Sequence, residues 1–154
     1  MNDPRITAYL AGSELVRRAV GGLSREQLLA RPIPGKWSTL EVVCHLSDMD
    51  LVYAERIKRI VAEDRPALAN ADENRWAAAL AYHARDLETE LNLLEHSRRQ
   101  IANILTSASA TVWDRVGIHS TDGPLALGEL IRRITNHVPH HVARIEEKRR
   151  ALGV

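Results

Sequence analysis

The sequence predicts an all-α protein, a four-helix bundle in a single domain over residues 1–154. Four long stretches repeat apolar residues at the three-and-four spacing of amphipathic helices. No stretch combines sustained alternation with the β-branched and aromatic enrichment that is typical of strands. With 154 residues, 45% of them hydrophobic, the chain is long enough for one core and too short to favour two domains.

Helix start and stop signals bound the first half of the chain. The first helix should cover residues 3–20, because Gly21 and Gly22 can take the left-handed conformation that closes a helix. A short helix capped by Ser24 should follow, ended by RPIPGK. Ser38 and Glu41 then form a capping-box pattern, in which each side chain accepts a hydrogen bond from the other residue's free backbone amide. This pattern predicts a second long helix over about 39–61.

Polar connections separate the last two long helices. A third helix rich in Ala and Leu is expected from about Asp72 to Leu105. After an irregular stretch, the last helix should begin at Pro124, whose fixed φ suits the first helical position, and should run to about Leu152 before Gly153. Short connections favour an up-and-down bundle, and the longer third connection permits one crossover.

The composition disfavours two classes of partner. Lys and Arg total 21 against 20 for Asp and Glu, so the formal charge of +1 gives no field that attracts nucleic acid or anionic lipid. No stretch is apolar enough for a signal peptide or a membrane span, and Cys44 is the only cysteine. We therefore expect a cytoplasmic protein with no nucleic-acid or membrane partner and no intrachain disulfide.

Three histidines are candidate metal ligands. On the last helix His141 lies in the apolar stripe, and His137 lies one turn before it and about 40° around the axis, so both rings can face one interhelical seam. His45 lies where the apolar and acidic faces of the second long helix meet, within reach of a neighbouring helix. Three neutral imidazoles can hold zinc or a similar ion with a coordination position left open. Chance pairs at this spacing are common, so ordinary buried histidines are the alternative.

Other chemically active side chains are expected to be structural. Cys44 points about 100° away from His45 on the helix and reads as a small buried thiol. Pro139 lies between His137 and His141, and because it removes a helical hydrogen bond it predicts a kink or local bulge. Such a distortion either accompanies a functional site or disturbs the pairing of the two histidine rings. We expect solvent or loop positions for four histidines and core or helix-packing positions for three tryptophans: His83, His96, His119, His140, Trp37, Trp76 and Trp113.

Two segments, GKWSTLEVVCHLSDMDLVYAERI and LGELIRRITNHVPHHVARIEE, resemble the DinB-like superfamily, which includes the YfiT-type metal-dependent hydrolases. The resemblance covers most of the chain. It implies a four-helix bundle of the DinB/YfiT-like type, often a homodimer, in which three histidines hold a divalent metal such as zinc or nickel. The residues that match in order and spacing are Trp37, Ser38, His45, His137 and His141.

A site of three histidines without a carboxylate is positively charged, so a bound water or thiol loses its proton more easily than in solution. The resemblance implies attack by a low-molecular-weight thiol on a small electrophile, and our first hypothesis is a metal-dependent thiol S-transferase with a small-molecule substrate. A metal-dependent hydrolase is the alternative, and it needs a general base, for which Asp48 is the candidate and Asp50 the next. A third reading is a metal-binding protein without turnover, in which the ion joins two helices.

Overall fold

The computed structural model describes residues 3–154, so the first two residues of the predicted 1–154 domain lie outside the described part. It confirms a bundle of four long helices: α1 (Pro4–Val20), α3 (Thr39–Ala62), α5 (Leu87–Ser107) and α6 (Leu127–Leu152). Two shorter helices, α2 (Arg25–Leu29) and α4 (Glu73–Ala79), lie in the connections. Two single 3₁₀ turns cover Tyr82–Ala84 and Ala110–Asp114.

The predicted helix caps are present. The Ser38 side chain accepts a hydrogen bond from the Glu41 amide at 3.2 Å, and the Glu41 carboxylate accepts one from the Ser38 amide at 2.7 Å. This capping box starts α3 and thereby sets the positions of all side chains on that helix. At the other end of the chain Gly153, with φ of 75°, closes α6 in the left-handed conformation that suits glycine.

The expected continuous helix from Asp72 to Leu105 is wrong, because the chain leaves helical geometry between α4 and α5. Ala81 takes a left-handed φ of 50°, which ends the helical path. Asp86 then caps α5, its side chain accepting a hydrogen bond from the Thr89 amide at 2.8 Å. The break turns α4 into a separate short element beside α3.

The prediction that the last helix begins at Pro124 is also wrong, and so is the expectation that strands are absent. Three short strands form one sheet, in the order β1 (Ala67–Leu68), β2 (Val116–His119) and β3 (Gly123–Ala126). β1 pairs with β2 in parallel and β2 with β3 in antiparallel fashion. Pro124 lies in β3, an edge strand, where the missing amide is tolerated. Strands of two to four residues are too short for alternation to reveal them.

The four long helices do not follow simple up-and-down order. α1 packs against α5 and α6, and α3 also packs against α5 and α6. The helices that follow each other as α1 and α3, and as α5 and α6, therefore lie diagonally across the bundle. This crossed arrangement places α3 directly against α6, and these are the two helices that carry the candidate ligands. Within residues 3–154 no helix combines the length and the apolar character that crossing a membrane requires.

Candidate metal centre

His45 on α3 meets His137 and His141 on α6 at the seam between the two helices. The Nε2 atoms of His45 and His137 lie 3.1 Å apart, and the same distance separates the Nε2 atoms of His137 and His141. One ring nitrogen of each histidine lies within 4.8 Å of the other two. The predicted trio is therefore assembled in space, although His45 and His137 are 92 residues apart along the chain.

Burial keeps all three imidazoles neutral near pH 7. It lowers the pKa of His45 to about 4, with a smaller contribution from the charge of His141. Burial likewise lowers the pKa of His137 to about 4, with a smaller contribution from His45. It lowers the pKa of His141 to about 3, with a smaller contribution from His137. Neutral imidazoles have a free ring nitrogen lone pair, which is the form that ligates a metal.

The hydrogen bonds of the trio are incomplete, and this supports a metal. His137 Nε2 faces two ring nitrogens, but a neutral ring can place only one proton there. The Nδ1 atoms of His45 and His137 are buried and have no partner among the described residues. Any assignment of protons therefore leaves a buried ring nitrogen unsatisfied, which is costly. A divalent ion shared by the three Nε2 atoms would satisfy all three lone pairs, so the donor set fits a transition metal.

Glu73 is the site residue that sequence reasoning missed. Its carboxylate Oε2 lies 3.6 Å from His45 Nε2, and its side chain is half exposed. Asp72 places it there by capping α4, accepting hydrogen bonds from the amides of Asn74 and Arg75. An acidic residue in the first turn after a cap is a common pattern. Only the fold brings this one to the histidines.

Two features flank the trio, and Trp37 lies in the packing position that the sequence predicts. Trp37 packs on His45 with ring centroids 5.1 Å apart. The local bulge that the sequence predicts at Pro139 is not formed, because α6 stays α-helical through this residue, and Pro139 itself is exposed. The proline thus leaves the pairing of His137 and His141 intact.

The candidate bases Asp48 and Asp50 are not with the histidines in the described structure. Asp48 is buried, contrary to the solvated position of an acidic helix face, and forms an ion pair with Arg85 at 2.9 Å. Asp50 is fully buried and forms an ion pair with Arg98 at 2.7 Å. Both carboxylates are thus engaged by arginines of the α5 side of the bundle.

The remaining residues mostly occupy the positions expected of them. His83, His96 and His140 are exposed. Cys44 is buried, its thiol lies near the Tyr82 carbonyl oxygen, and burial raises its pKa to about 12, so it is an inert core thiol. His119 is the exception. It is buried in β2 rather than exposed in a loop.

His137 is the member of the trio that lines a cleft of about 300 Å³, together with Glu73 and residues of α3, the sheet and α6. A metal centre that only joined two helices would be closed on all sides. Here the cleft gives a small molecule access to the trio at His137. The arrangement defines a helical bundle with three histidines placed so that they could hold a metal ion beside a cleft.

The chain belongs to the DinB superfamily, whose family model matches residues 9–145. A relative from Geobacillus thermodenitrificans is 30% identical over 141 residues, which cover 91% of this chain and 79% of the relative. Another, from Oceanobacillus iheyensis, is 29% identical over 131 residues, covering 85% and 76% of the two chains. Both carry the name "putative metal-dependent hydrolase".

Two solved structures share the fold. YfiT from Bacillus subtilis, described as having an unusual four-helix bundle topology, matches with a TM-score of 0.91 and 25% identity, covering 99% of this chain and 87% of YfiT. A mycothiol-dependent maleylpyruvate isomerase matches with a TM-score of 0.72 and 14% identity, covering 93% of this chain and 60% of the isomerase. The second likeness shows the fold alone.

Proposed function

We propose that this chain is a divalent-metal-dependent enzyme of small molecules, with His45, His137 and His141 as the metal ligands. The observation that carries the proposal is the convergence of three neutral ring nitrogens, from buried His45 and half-buried His137 and His141, beside an open cleft. The names of the relatives agree with a metal-dependent reaction. When bound, a zinc or nickel ion would act as a Lewis acid that lowers the pKa of a water or thiol and polarises an electrophile.

Hydrolysis is the reaction that the geometry supports best, because Glu73 supplies a general base in place of the sequence candidates Asp48 and Asp50. Its carboxylate lies at the trio and is open to solvent, whereas Asp48 and Asp50 are held by arginines. Glu73 would accept a proton from water as the water oxygen bonds to the electrophilic carbon, and would then return the proton to the leaving group. The three histidines would hold the metal and, being neutral, take no proton in this scheme.

Thiol S-transfer, our first hypothesis from the sequence, is the second candidate. The cleft of about 300 Å³ has room for a small cosubstrate in addition to the electrophile. The chain cannot supply the thiol itself, since Cys44 is buried away from the trio. A low-molecular-weight thiol would therefore enter as cosubstrate and lose its proton to Glu73. The thiolate would form a carbon–sulfur bond to the electrophilic carbon as the bond from that carbon to its leaving group breaks, and the leaving group would depart with the bonding electron pair.

The first test is the metal content of the purified protein by plasma mass spectrometry, for the wild type and for His45→Ala and His137→Ala, with His96→Ala as an exposed control. We expect a near-stoichiometric transition metal that is lost in both ligand variants and kept in the control. A wild type that stays metal-free after incubation with zinc and with nickel would refute the proposal.

The second test separates the two reactions. The zinc-loaded and nickel-loaded proteins are assayed with p-nitrophenyl acetate alone and with monobromobimane plus cysteine. Glu73→Gln should keep the metal and lower kcat by about a hundredfold to ten-thousandfold, the usual contribution of a general base. Glu88→Gln, which alters an exposed glutamate paired with Arg17, should change neither value. Unchanged turnover in Glu73→Gln would remove Glu73 from the mechanism.

The homodimer that the resemblance implies and the expected cytoplasmic location belong to the same proposal. Sedimentation of the metal-loaded protein measures the first directly. The expectation of no nucleic-acid partner is supported by charges that largely pair on the surface, as in Arg132 with Glu129 and Arg18 with Glu14.

A further inference from the structure

Arg56 is a buried cation on the wall of the cleft that leads to the three histidines. Only 5% of its surface is exposed, and none of the described carboxylates lies within ion-pairing distance of it. Its Nη2 donates a hydrogen bond to the Ala69 carbonyl oxygen at 2.6 Å, whereas its Nε is buried without a partner. A buried guanidinium without a counter-ion is rare, because desolvation of a charge is costly unless an anion compensates it.

The other charges of the cleft do not neutralise Arg56. Arg133 pairs with Asp122 at 2.5 Å and with Glu129 at 2.9 Å, so Asp122 already has a cation. Glu73 lies at the histidines. Burial lowers the pKa of Arg56, and nearby Tyr53, Glu55 and Asp122 offset only part of that effect. The guanidinium lies over the Tyr53 ring, 5.1 Å from its centroid, but has no carboxylate partner within residues 3–154.

His119 adds a donor to the same wall. Its Nδ1 accepts hydrogen bonds from the amides of Thr121 at 3.3 Å and Asp122 at 3.2 Å. These two bonds fix the neutral tautomer that carries its proton on Nε2. The Nε2–H makes no hydrogen bond within residues 3–154, and it is free to donate to a ligand. Arg56, His119, Glu73 and His137 all line this one cleft.

We propose that Arg56 and His119 form a subsite for an oxyanion, a carboxylate or phosphate group carried by the small-molecule substrate. An oxyanion there would give the buried guanidinium its missing counter-ion and would accept a hydrogen bond from His119. The substrate would extend along the cleft, with its reactive carbon toward His137 and Glu73. The inference rests on the proposed function, since it names the substrate class of that same centre.

The test is a nitrogen-15 NMR titration of the arginine Nε–H and histidine ring signals with acetate, acetamide and inorganic phosphate. The Arg56 signal is identified by its absence in Arg56→Lys. We expect it to shift saturably with an oxyanion and to stay unmoved by acetamide, which has the shape of acetate without its charge. The preferred anion, acetate or phosphate, then assigns the substrate group.

Variants measure how much each residue contributes. Arg56→Gln should weaken oxyanion binding about tenfold to hundredfold, read from the His119 ring signal, because a charge-assisted hydrogen bond is lost. His119→Asn keeps an acceptor for the two amides and removes the Nε2–H. Because this hydrogen bond comes from a neutral group, the variant should weaken oxyanion binding less than Arg56→Gln does. Arg132→Gln, an exposed arginine paired with Glu129, is the matched control and should bind as the wild type does.

Each titration is run on the zinc-loaded and on the metal-free protein, because a metal would itself attract anions. Saturable shifts in both forms support the subsite, whereas an unmoved Arg56 Nε–H, or wild-type affinity in Arg56→Gln, overturns it. If Arg56→Gln does not fold, the wild-type titration decides alone. A protein that binds zinc without responding at Arg56 refutes only the subsite, and one that responds without binding metal refutes only the metal proposal.

Discussion

Helix α3 carries two buried polar centres that differ in how completely their hydrogen bonds are satisfied. In the first, Asp50 accepts hydrogen bonds from Arg98 Nε at 3.0 Å and Nη2 at 2.7 Å and from the Tyr9 hydroxyl at 3.2 Å. Arg98 also donates to the Tyr9 carbonyl oxygen at 2.6 Å. In the second, His45 and His137 each keep a buried Nδ1 without a partner.

The difference separates a structural network from a binding centre. Opposite charges at Asp50 and Arg98 compensate each other inside the fold, and nothing further is needed to make their burial tolerable. The three Nε2 atoms of the histidine trio face one another, so a single proton cannot satisfy both of their contacts, and the cleft beside His137 admits a ligand. Arg56, like His45 and His137, has a buried nitrogen without a hydrogen-bond partner among the described residues. It is as buried as a core residue, yet it lacks the carboxylate that Arg98 has.

The largest expected effect comes from breaking the satisfied centre. Asp50→Ala leaves Arg98 as an uncompensated buried charge, so the free energy of unfolding should fall by about 3–5 kcal/mol in urea denaturation. The double variant Asp50→Leu with Arg98→Met should recover most of that loss. A loss in the single variant no larger than that of the exposed Glu88→Ala would contradict the structural role.

Bound zinc should stabilise the folded protein only through the histidine trio. At a free zinc concentration of about a hundred times Kd, the free energy of unfolding of the wild type should rise by about 2.7 kcal/mol. His45→Ala should show no such rise, while Asp50→Ala, although less stable, should keep it. Thermal denaturation with and without a chelator measures both. Equal zinc stabilisation of His45→Ala would place the metal elsewhere.

Gly12 tests how tightly the satisfied centre is packed. A Cβ at this position would collide with Arg98 Nη1, which donates to the Tyr9 carbonyl oxygen, and the Nε and Nη2 atoms of the same guanidinium are bound to Asp50. Gly12→Ala should therefore destabilise the protein by about 1–3 kcal/mol, despite the better helix propensity of alanine. Gly128→Ala is the matched control, because its Cβ would meet only ordinary contacts, and it should be neutral or slightly stabilising.

The smallest effect is expected at the cap of α3, which carries both centres. Ser38→Ala removes the acceptor for the Glu41 amide and should cost about 1 kcal/mol in chemical denaturation. Zinc affinity should not change, because the cap lies outside the trio. Ser24→Ala, which uncaps the short helix α2, is the comparison. A large drop in zinc affinity for Ser38→Ala would show that the cap positions His45.

Local patterns identified the elements that depend on local interactions. The capping box, the glycine that ends α6 and the helical period around His137 and His141 are all encoded within a few residues, and each was confirmed. The short sheet and the break at Ala81 were not predicted from the sequence. Strands of a few residues have no measurable period, and a left-handed alanine has no sequence signature.

The sequence by itself determined the helical bundle, the two helices that carry the three histidines and the faces on which those histidines lie, because a helix converts spacing along the chain into direction in space. Tertiary structure alone decided that Glu73 meets the trio, that Arg98 has a carboxylate partner and that Arg56 has none. Those outcomes depend on how α4, the sheet and the diagonal connections pack against α3. Such long-range contacts are set by the fold as a whole and leave no mark in the local pattern of residues.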